Sequence, residues 1–438
     1  MTPISCWNNY PYSQTFLKRP EKLKDIRPLT GYSTLARGLG RSYGDAALNS
    51  ENTTILMERL NRFLSFDEKT GLLQAEAGVT LEEIIDTFLP RGWFPAVTPG
   101  TKYVTLGGCF AADVHGKNHH RDGSFSQHVT EIELLLADGS YCRCSPLQNP
   151  QLFWATAGGM GLTGVITEMT VQLIPVETSF ISVTHHAASN IDQLLSYLED
   201  PALDDKYSVA WIDCLSRGKD LGRGVLMTGH HAARDTHDLP VQAAPAKIRT
   251  IPCNLPGWVL KPWCVKTFNA IYYKTQSAKK HFLTPCDHFF YPLDAIGHWN
   301  RIYGKRGFLQ YQFVIPREGA RKVMPALLST ISDSRQASFL AVLKRFGKEG
   351  QGHLSFPMEG VTLALDIPLA HRGVFDLLDQ LDKIVLEQGG RVYLAKDARL
   401  KPETFRKMYT RYPEWQHIKH SVDPLNDYCS DLARRLGL

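Results

Sequence analysis

The run Arg37-Gly38-Leu39-Gly40-Arg41-Ser42-Tyr43-Gly44-Asp45 has the residue types of an anion-binding turn. Glycines let the backbone reach positive φ and come close to a ligand. Successive N–H groups in such a turn make a concave nest for negative charge. Arginine and serine side chains add donors for phosphate oxygens. The spacing of Gly38, Gly40 and Gly44 is not the dinucleotide fingerprint G-x-G-x-x-G, and no G-K-S/T run follows, so neither a Rossmann turn nor a P-loop is implied. A second loop, Pro99-Gly100-Thr101 with Thr105-Leu106-Gly107-Gly108, leads into Asp113-Val114-His115-Gly116-Lys117-Asn118-His119-His120. A third glycine cluster follows at Gly158-Gly159. Three such turns in one domain suit a long, phosphate-containing cofactor.

Other polar residues suggest a ligand of many hydroxyls. Gln310 and Gln312 alternate with Leu309, Tyr311 and Phe313. On a strand both amides face one side, where they suit sugar hydroxyls or phosphate. Lys344 is placed to pair with a phosphate. No metal is expected, because His119-His120 has no carboxylate or cysteine spaced to complete a site. His185-His186 and His230-His231 read as surface residues. The nine cysteines are odd in number and scattered. Cys142 and Cys144 share a strand face but have no second pair, so reduced thiols in a reducing compartment are expected.

The elements that must position these residues follow from pattern and composition. A chain of 438 residues suits two or three domains. With 43% apolar and 21% charged residues it is neither disordered nor fibrous. Its net charge of +5 is too mild for a dedicated nucleic-acid binder. The first residues lack a basic, apolar secretory pattern, and no stretch approaches the roughly 20 apolar residues of a membrane span. A protein on the cytoplasmic side, soluble or peripheral at a membrane, is expected. Leu81, Ile84, Ile85 and Phe88 fall at helical spacing behind Thr80 and Glu83, a capping box. Asp138-Gly139 suits a hairpin turn. Residues 308–316 and 361–369 read as strands, and residues 373–390 as an amphipathic helix ended by glycine.

These segments resemble the FAD-binding domain of the vanillyl-alcohol-oxidase type. The likeness extends to the decaprenylphosphoryl-β-D-ribose 2′-oxidase family. It is carried by residues 36–47 (ARGLGRSYGDAA), 99–108, 113–120 (DVHGKNHH), 123–125, 152–164, 298–304, 307–316 (GFLQYQFVIP), 354–357, 395–399 (AKDAR) and the tail 422–436. The resemblance implies an α+β, two-domain flavoprotein of the vanillyl-alcohol-oxidase/PCMH type. Residues 1–180 would bind FAD. Residues 181–390 would form a substrate domain on an antiparallel sheet, and residues 391–438 would return to the FAD domain.

The same matching implies residue roles. FAD contacts fall on Ala36, Arg37, Gly38, Leu39, Gly40, Arg41, Ser42, Tyr43, Gly44, Asp45 and Ala46. They continue with Gly100, Thr105, Leu106, Gly107, Gly108, Ala112, Asp113, Val114, His115, Asn118, His119, Ile166 and Tyr393. Substrate contacts fall on Trp211, Tyr273, Gln310, Gln312, Lys344, Thr362, Ala364 and Lys396. Lys396, read on a strand with Asp397 on the opposite face, would stabilise the negative charge of reduced flavin. His115 has an ordinary pKa of about 6.5 and could take or relay the hydroxyl proton. The base among His115, Tyr43 and Lys396 stays open.

Two departures matter. Members that attach FAD covalently often carry a G-G-H-S-like first loop. Gly40-Arg41-Ser42 stands here, so FAD is expected to be non-covalent. Some members also carry Asn-x-Cys on a late strand, where nitroaromatic inhibitors attack the cysteine. Thr362 and Ala364 stand here, so no such adduct is expected.

The implied reaction is oxidation of the 2′-hydroxyl of polyprenylphosphoryl-β-D-ribose to the 2-keto sugar, the first half of an epimerisation. An NAD(P)H-dependent short-chain reductase would complete it. The alternative is an FAD oxidase of the same fold acting on another sugar, alditol or aldonolactone. Residues 239–286 contain no acid and seven cations: Lys247, Arg249, Lys261, Lys266, Lys274, Lys279 and Lys280. Aromatic residues are interleaved, as in a segment that meets an anionic membrane surface. This stretch reads as a basic, apolar loop.

Overall fold

The computed structural model describes residues 1–27, 33–234, 248–336, 340–369 and 373–438. Residues 239–247 of the basic stretch, with Lys247, therefore lie outside the described residues.

The first part of the chain builds two sheets. Strands Tyr12–Lys18, Thr53–Leu56 and Thr34–Arg37 run parallel, with Thr2–Ser5 antiparallel at the edge. The glycine-rich run leaves Thr34–Arg37 at its carboxyl end, where parallel sheets keep their ligand crevices. The second sheet is antiparallel and joins Phe63–Asp67, Leu72–Glu76, Val165–Pro175, Val129–Leu135 and Tyr141–Cys144. Helix Leu81–Phe88 packs on it and carries the expected capping box, with Thr80 accepting from the Glu83 amide and Glu83 accepting from the Thr80 amide. Its buried face is Leu81, Ile84, Ile85 and Phe88, the residues picked out by helical spacing.

From Phe180 the chain builds an eight-stranded sheet, whose strands we label in chain order. They are β1 (Phe180–Ala188), β2 (Tyr207–Ile212), β3 (Gly224–His231), β4 (His281–Pro285), β5 (Phe308–Pro316), β6 (Ala341–Phe346), β7 (Gly360–Pro368) and β8 (Arg391–Val392). Their order across the sheet is β4-β1-β3-β2-β6-β7-β5-β8, and each pairing is antiparallel. Helices Ile191–Glu199, Arg317–Ser334 and Val374–Glu387 cover one face through a large apolar core. The other face is left for the site.

The closing segment packs back on the first part. Tyr428 bridges Thr34, the Asp431 amide donates to the Leu48 carbonyl, and Trp415 Nε1 donates to the Ala155 carbonyl at 2.9 Å.

Two local expectations are corrected. Lys396 is not on a strand: β8 ends at Val392, and Leu394–Lys396 is a 3-10 turn. Within the basic stretch, the described residues include α1 (Pro262–Ser277), a 16-residue helix. Its apolar residues lie on more than one side, so they gave no clean helical stripe to read.

Candidate active site

A cavity of about 740 Å³ lies between the glycine-rich loops and the open face of the sheet. Side chains from successive strands form its floor. β5 presents Gln310 and Gln312, β7 Ala364, and β6 Val342 and Lys344. Beyond them β2 presents Val209 and Trp211, β3 Met227, β1 Val183, and β4 Phe282. The two-residue period of a strand puts each set on one face. The register aligns them in rows: Gln312 lies opposite Ala364, Ala364 opposite Val342, Val342 opposite Trp211, Val209 opposite Met227, and Val183 opposite Phe282. The floor is polar and cationic under β5, β7 and β6 and mainly apolar from β2 to β4, where His185 of β1 and Thr284 of β4 are polar lining residues.

At the polar end a hydrogen-bond chain fixes the tautomer of His115. Gln312 Nε2 lies 2.9 Å from His115 Nε2 and 3.1 Å from Thr362 Oγ1. Thr362 donates its own proton to the Phe313 carbonyl at 2.8 Å, so it accepts from Gln312. An amide nitrogen can only donate, so His115 Nε2 accepts and the ring proton sits on Nδ1. Burial, then Lys344 and Lys396, hold His115 well below the ordinary histidine range. The ring is neutral and offers a donor. With Nε2 engaged by Gln312, the His115 ring is placed to donate from Nδ1. Its Nδ1 and Gln312 Oε1 are buried without a protein partner among the described residues.

Three lysines share this end. Burial lowers Lys344 to about 8. Burial and then Lys344 lower Lys396 to about 7, against the opposing pull of Asp366. Burial and then Lys344 lower Lys117 to about 7. Lys117 Nζ donates to the Phe289 carbonyl and lies 4.1 Å from the centre of its ring. Lys396 Nζ lies 5.5 Å from the centre of the Tyr43 ring. Burial pushes the Tyr43 phenol up, so it stays protonated. The Tyr43 amide donates to the Ala395 carbonyl at 3.0 Å, which joins the first glycine loop to the lysine turn.

Most residues singled out from the sequence converge on this cavity. Ala36, Arg37, Gly38, Leu39, Gly40, Arg41, Ser42, Tyr43, Ala46, Gly100, Thr105, Gly107, Gly108, Ala112, Val114, Ile166 and Tyr393 line it. Trp211, Lys344, Ala364 and Lys396 do so as well.

Eight do not, and each has another role. Gly44 packs against the Asp397 carbonyl, which a Cβ would strike. Asp45 binds Arg435. Leu106 is core. Asp113 accepts from Ser124, Ser126 and Ser355. Asn118 donates to the Ala96 carbonyl and to Asp122. His119 accepts from the Gly347 amide and packs on Phe346. Tyr273 donates to the Ala188 carbonyl, and its neighbour Tyr272 lines the cavity instead. Thr362 accepts from Gln312.

The sequence reading also missed residues. Lys117, two positions after His115, was in plain view but carried no signal beyond that neighbourhood. His185 lines the cavity, and His231 is half-buried and packs on Phe94 and Tyr207, so neither is a fully exposed surface residue. Burial brings His231 to about 4.

The glycine loops fit a phosphate-bearing cofactor. Among the described residues, the amides of Gly38, Leu39, Gly40, Arg41 and Ser42 have no backbone acceptor, and Gly40 has φ +63°. Arg37 does not add to this nest, because its guanidinium donates to the Ala47 and Ser5 carbonyls at 2.7 Å and braces the loop. Arg41 stacks on Trp7 at 4.0 Å and stays at the cavity wall. Gly100 and Gly161, also at the wall, face open space.

Comparison with known proteins agrees with this geometry. The family profile of the FAD binding domain matches residues 29–145. A decaprenylphosphoryl-β-D-ribose oxidase from Mycolicibacterium smegmatis is 39% identical over 415 residues, covering 93% of this chain and 90% of that protein. The chain belongs to that family. It is an FAD-dependent oxidoreductase with the α+β fold of the vanillyl-alcohol-oxidase type. An uncharacterised protein of Streptomyces coelicolor is 34% identical over 377 residues, covering 82% of this chain and all of that protein. A mouse L-gulonolactone oxidase is 29% identical over 166 residues, 37% of each chain.

Proposed function

We propose that the chain oxidises the 2′-hydroxyl of a polyprenylphosphoryl-β-D-ribose to the 2-keto sugar. The observation that carries this reading is the graded floor of the cavity. Six strand spacings of roughly 4.8 Å separate β5 from β4, about 29 Å in all. Along that length Gln310, Gln312 and Lys344 give way to Val209, Met227, Val183 and Phe282. Amide acceptors suit ribose hydroxyls, half-buried lysines suit a phosphodiester, and the mainly apolar strip suits the first isoprene units. A free sugar, alditol or aldonolactone would leave the apolar strip without an occupant.

FAD, when bound, supplies the hydride acceptor for the carbinol carbon. The glycine loops at residues 36–46 and 105–108 would hold it. The protein's own part is positioning and proton transfer. Gln312 Oε1 and His115 Nδ1 orient the hydroxyls. Lys396 Nζ, brought to about 7 by burial, takes the hydroxyl proton. The ammonium that results then stands where negative charge has accumulated. A non-covalent cofactor is part of this reading, as is an NAD(P)H-dependent short-chain reductase that reduces the ketone on the other face. Synthetic farnesylphosphoryl-ribose, mixed anaerobically with the holoenzyme, is expected to bleach the flavin band near ~450 nm. Bleaching by an aldonolactone but not by the prenylphosphoryl ribose would overturn the reading.

The reading includes attachment to an anionic membrane surface. Trp258, Trp263, Phe268 and Ile271, on α1 and the turn before it, are exposed large apolar residues. Lys261, Lys266 and Lys274 lie among them. Tyr272 and Gln276 of α1 line the cavity, so the helix stands between the apolar strip and the outside. No described helix is long and apolar enough to cross a membrane. The paired change Trp263→Glu and Ile271→Glu is expected to abolish sedimentation with phosphatidylglycerol vesicles while sparing oxidation of a short-chain substrate. Unchanged sedimentation would exclude α1 as the attachment site.

A further inference from the structure

On β7, two residues from Ala364 and on the same sheet face, lies a carboxylate that the reaction as described does not use. Asp366 is fully buried. Its Oδ1 accepts from Gln310 Nε2 at 2.6 Å, and its Oδ2 accepts from the Tyr303 hydroxyl at 2.9 Å. Tyr303 stacks on Phe308 with ring centres 4.1 Å apart, so its hydroxyl is held in place. Asp366 does not reach the cavity wall, whereas Gln310 does. Gln310 turns its NH₂ group toward Asp366. Its Oε1 is then left buried, with no protein partner among the described residues. Lacking water or a ligand hydroxyl, such an acceptor costs about 1–3 kcal/mol, so the site is built to receive a donor there.

Asp366 also faces cations and phenols. Lys396 approaches from the turn Leu394–Lys396, and Tyr43 from the first glycine loop. Lys344 on β6 opposes it, acting on Lys396 as a like charge. Among the described residues Asp366 is the acid that acts on Lys396, while Tyr43 also feels Asp294 and Arg41.

We propose that Asp366 is the positioning residue of this site, turning the Gln310 amide oxygen toward a substrate hydroxyl and supplying the counter-charge for Lys396. The proposal rests on the sugar-oxidising reading above. It adds a specificity element, because the fixed acceptor selects ligands that place a hydroxyl donor over β5. Gln310 and Gln312 then present two amide oxygens from one strand face, each locked by its nitrogen: one by Asp366, the other by His115 and Thr362.

The proton balance supports a role beyond packing. Burial raises Asp366 to about 7, against the hydrogen bonds of Gln310 and Tyr303 and the charge of Lys396. Asp366 and Lys396 therefore titrate in the same range as a coupled pair.

The test is Asp366→Asn, nearly isosteric but uncharged and able to donate. KM for farnesylphosphoryl-ribose is expected to rise at least ~10-fold, the scale of one misdirected buried hydrogen bond. Without its counter-charge, Lys396 loses its proton at lower pH, so the acid limb of flavin reduction shifts to lower pH. A carboxylate that only filled space would move neither KM nor the limb. Tyr303→Phe keeps the ring stack and serves if the first variant does not fold. Asp366 then holds its proton to higher pH, and the limb shifts the same way by less.

A substrate-free readout separates this proposal from the reading it rests on. Asp366 in the fold keeps a proton that the unfolded chain releases near about pH 4. The stability it contributes is present below that pH and lost as pH rises toward about 7. The melting temperature of Asp366→Asn relative to wild type should therefore climb between pH 5 and 8. Should wild type fail to oxidise the ribosyl substrate while this climb is seen, the substrate reading falls and the charge coupling stands. A flat difference in melting temperature, with unchanged KM and acid limb, would overturn the proposal.

Discussion

Replacing Lys396 with methionine is expected to slow flavin reduction by about 10²–10³, the usual loss when one preorganised electrostatic group is removed from a buried site. Methionine keeps the length and apolar character of the side chain, so packing should survive. What disappears is the nitrogen proposed to take the hydroxyl proton and then carry positive charge. His115, Tyr43 and Lys344 cannot replace it. His115 has its Nε2 engaged by Gln312 and its proton on Nδ1. Tyr43 remains protonated because burial pushes its phenol up. Lys344 is held nearer about 8, so it is mostly charged at neutral pH. Its charge is also what helps bring Lys396 to about 7.

The sign of the pH effect follows. In wild type the rate rises with pH as Lys396 loses its proton, through about 7. In the methionine variant that limb should vanish, leaving a low and nearly flat profile. Single-turnover stopped-flow absorbance from pH 5.5 to 9 measures both features. A rate within threefold of wild type, with the limb intact, would remove Lys396 from the reaction.

The sequence made parts of this site legible for identifiable reasons. Gln310 and Gln312 lie on a strand buried on both faces, and two-residue periodicity alone put them on one side. The glycine run at 36–46 was readable because nests need glycine and small polar residues in series. The helix Leu81–Phe88 was readable because its cap and its apolar face agree.

Other parts had no local signature. Asp366 reads as one acid in an apolar strand, and only the sheet register brings it opposite Gln310. Lys396 was misplaced on a strand because Tyr393 and Leu394 continue the apolar pattern of β8, while tertiary hydrogen bonds turn the chain there. His119 and Asn118 sit in a motif rich in polar residues, yet their partners, Gly347, Ala96 and Asp122, lie elsewhere in the fold. Tyr272 and Tyr273 are adjacent on a helix, and sequence alone could not choose which of them faces the cavity.

The placement of Lys396 depends in turn on the far end of the chain. Arg435, in helix Asp431–Leu436, forks between two buried carboxylates. Its Nε and Nη2 reach Asp45 at 2.7 and 2.8 Å, and Nη2 also reaches Asp397 at 2.8 Å. Its Nη1 donates to the Leu400 carbonyl at 2.6 Å. Asp45 closes the first glycine loop two residues after Tyr43, and Asp397 directly follows Lys396. One guanidinium therefore clamps the two segments that carry Lys396 and its aromatic neighbour Tyr43.

Arg435→Ala would leave Asp45 and Asp397 buried without their cation, a loss of about 3–5 kcal/mol for breaking a buried pair. Burial already raises Asp45 against the pull of Arg435, so removing the arginine raises it further. The cost should then be greatest above neutral pH, where Asp45 must ionise without its cation, and smaller near pH 5, where its protonation relieves the strain. Arg435→Lys should recover only part, because a single ammonium cannot make the forked contact. Thermal melts of the three proteins at pH 5 and pH 8, read alongside retention of FAD on gel filtration, check both the size and the sign. Equal melting temperatures at pH 8 would show that the clamp carries no stability. A stable Arg435→Ala variant that also reduces its flavin at the wild-type rate would release Lys396 from any dependence on the chain's last helix.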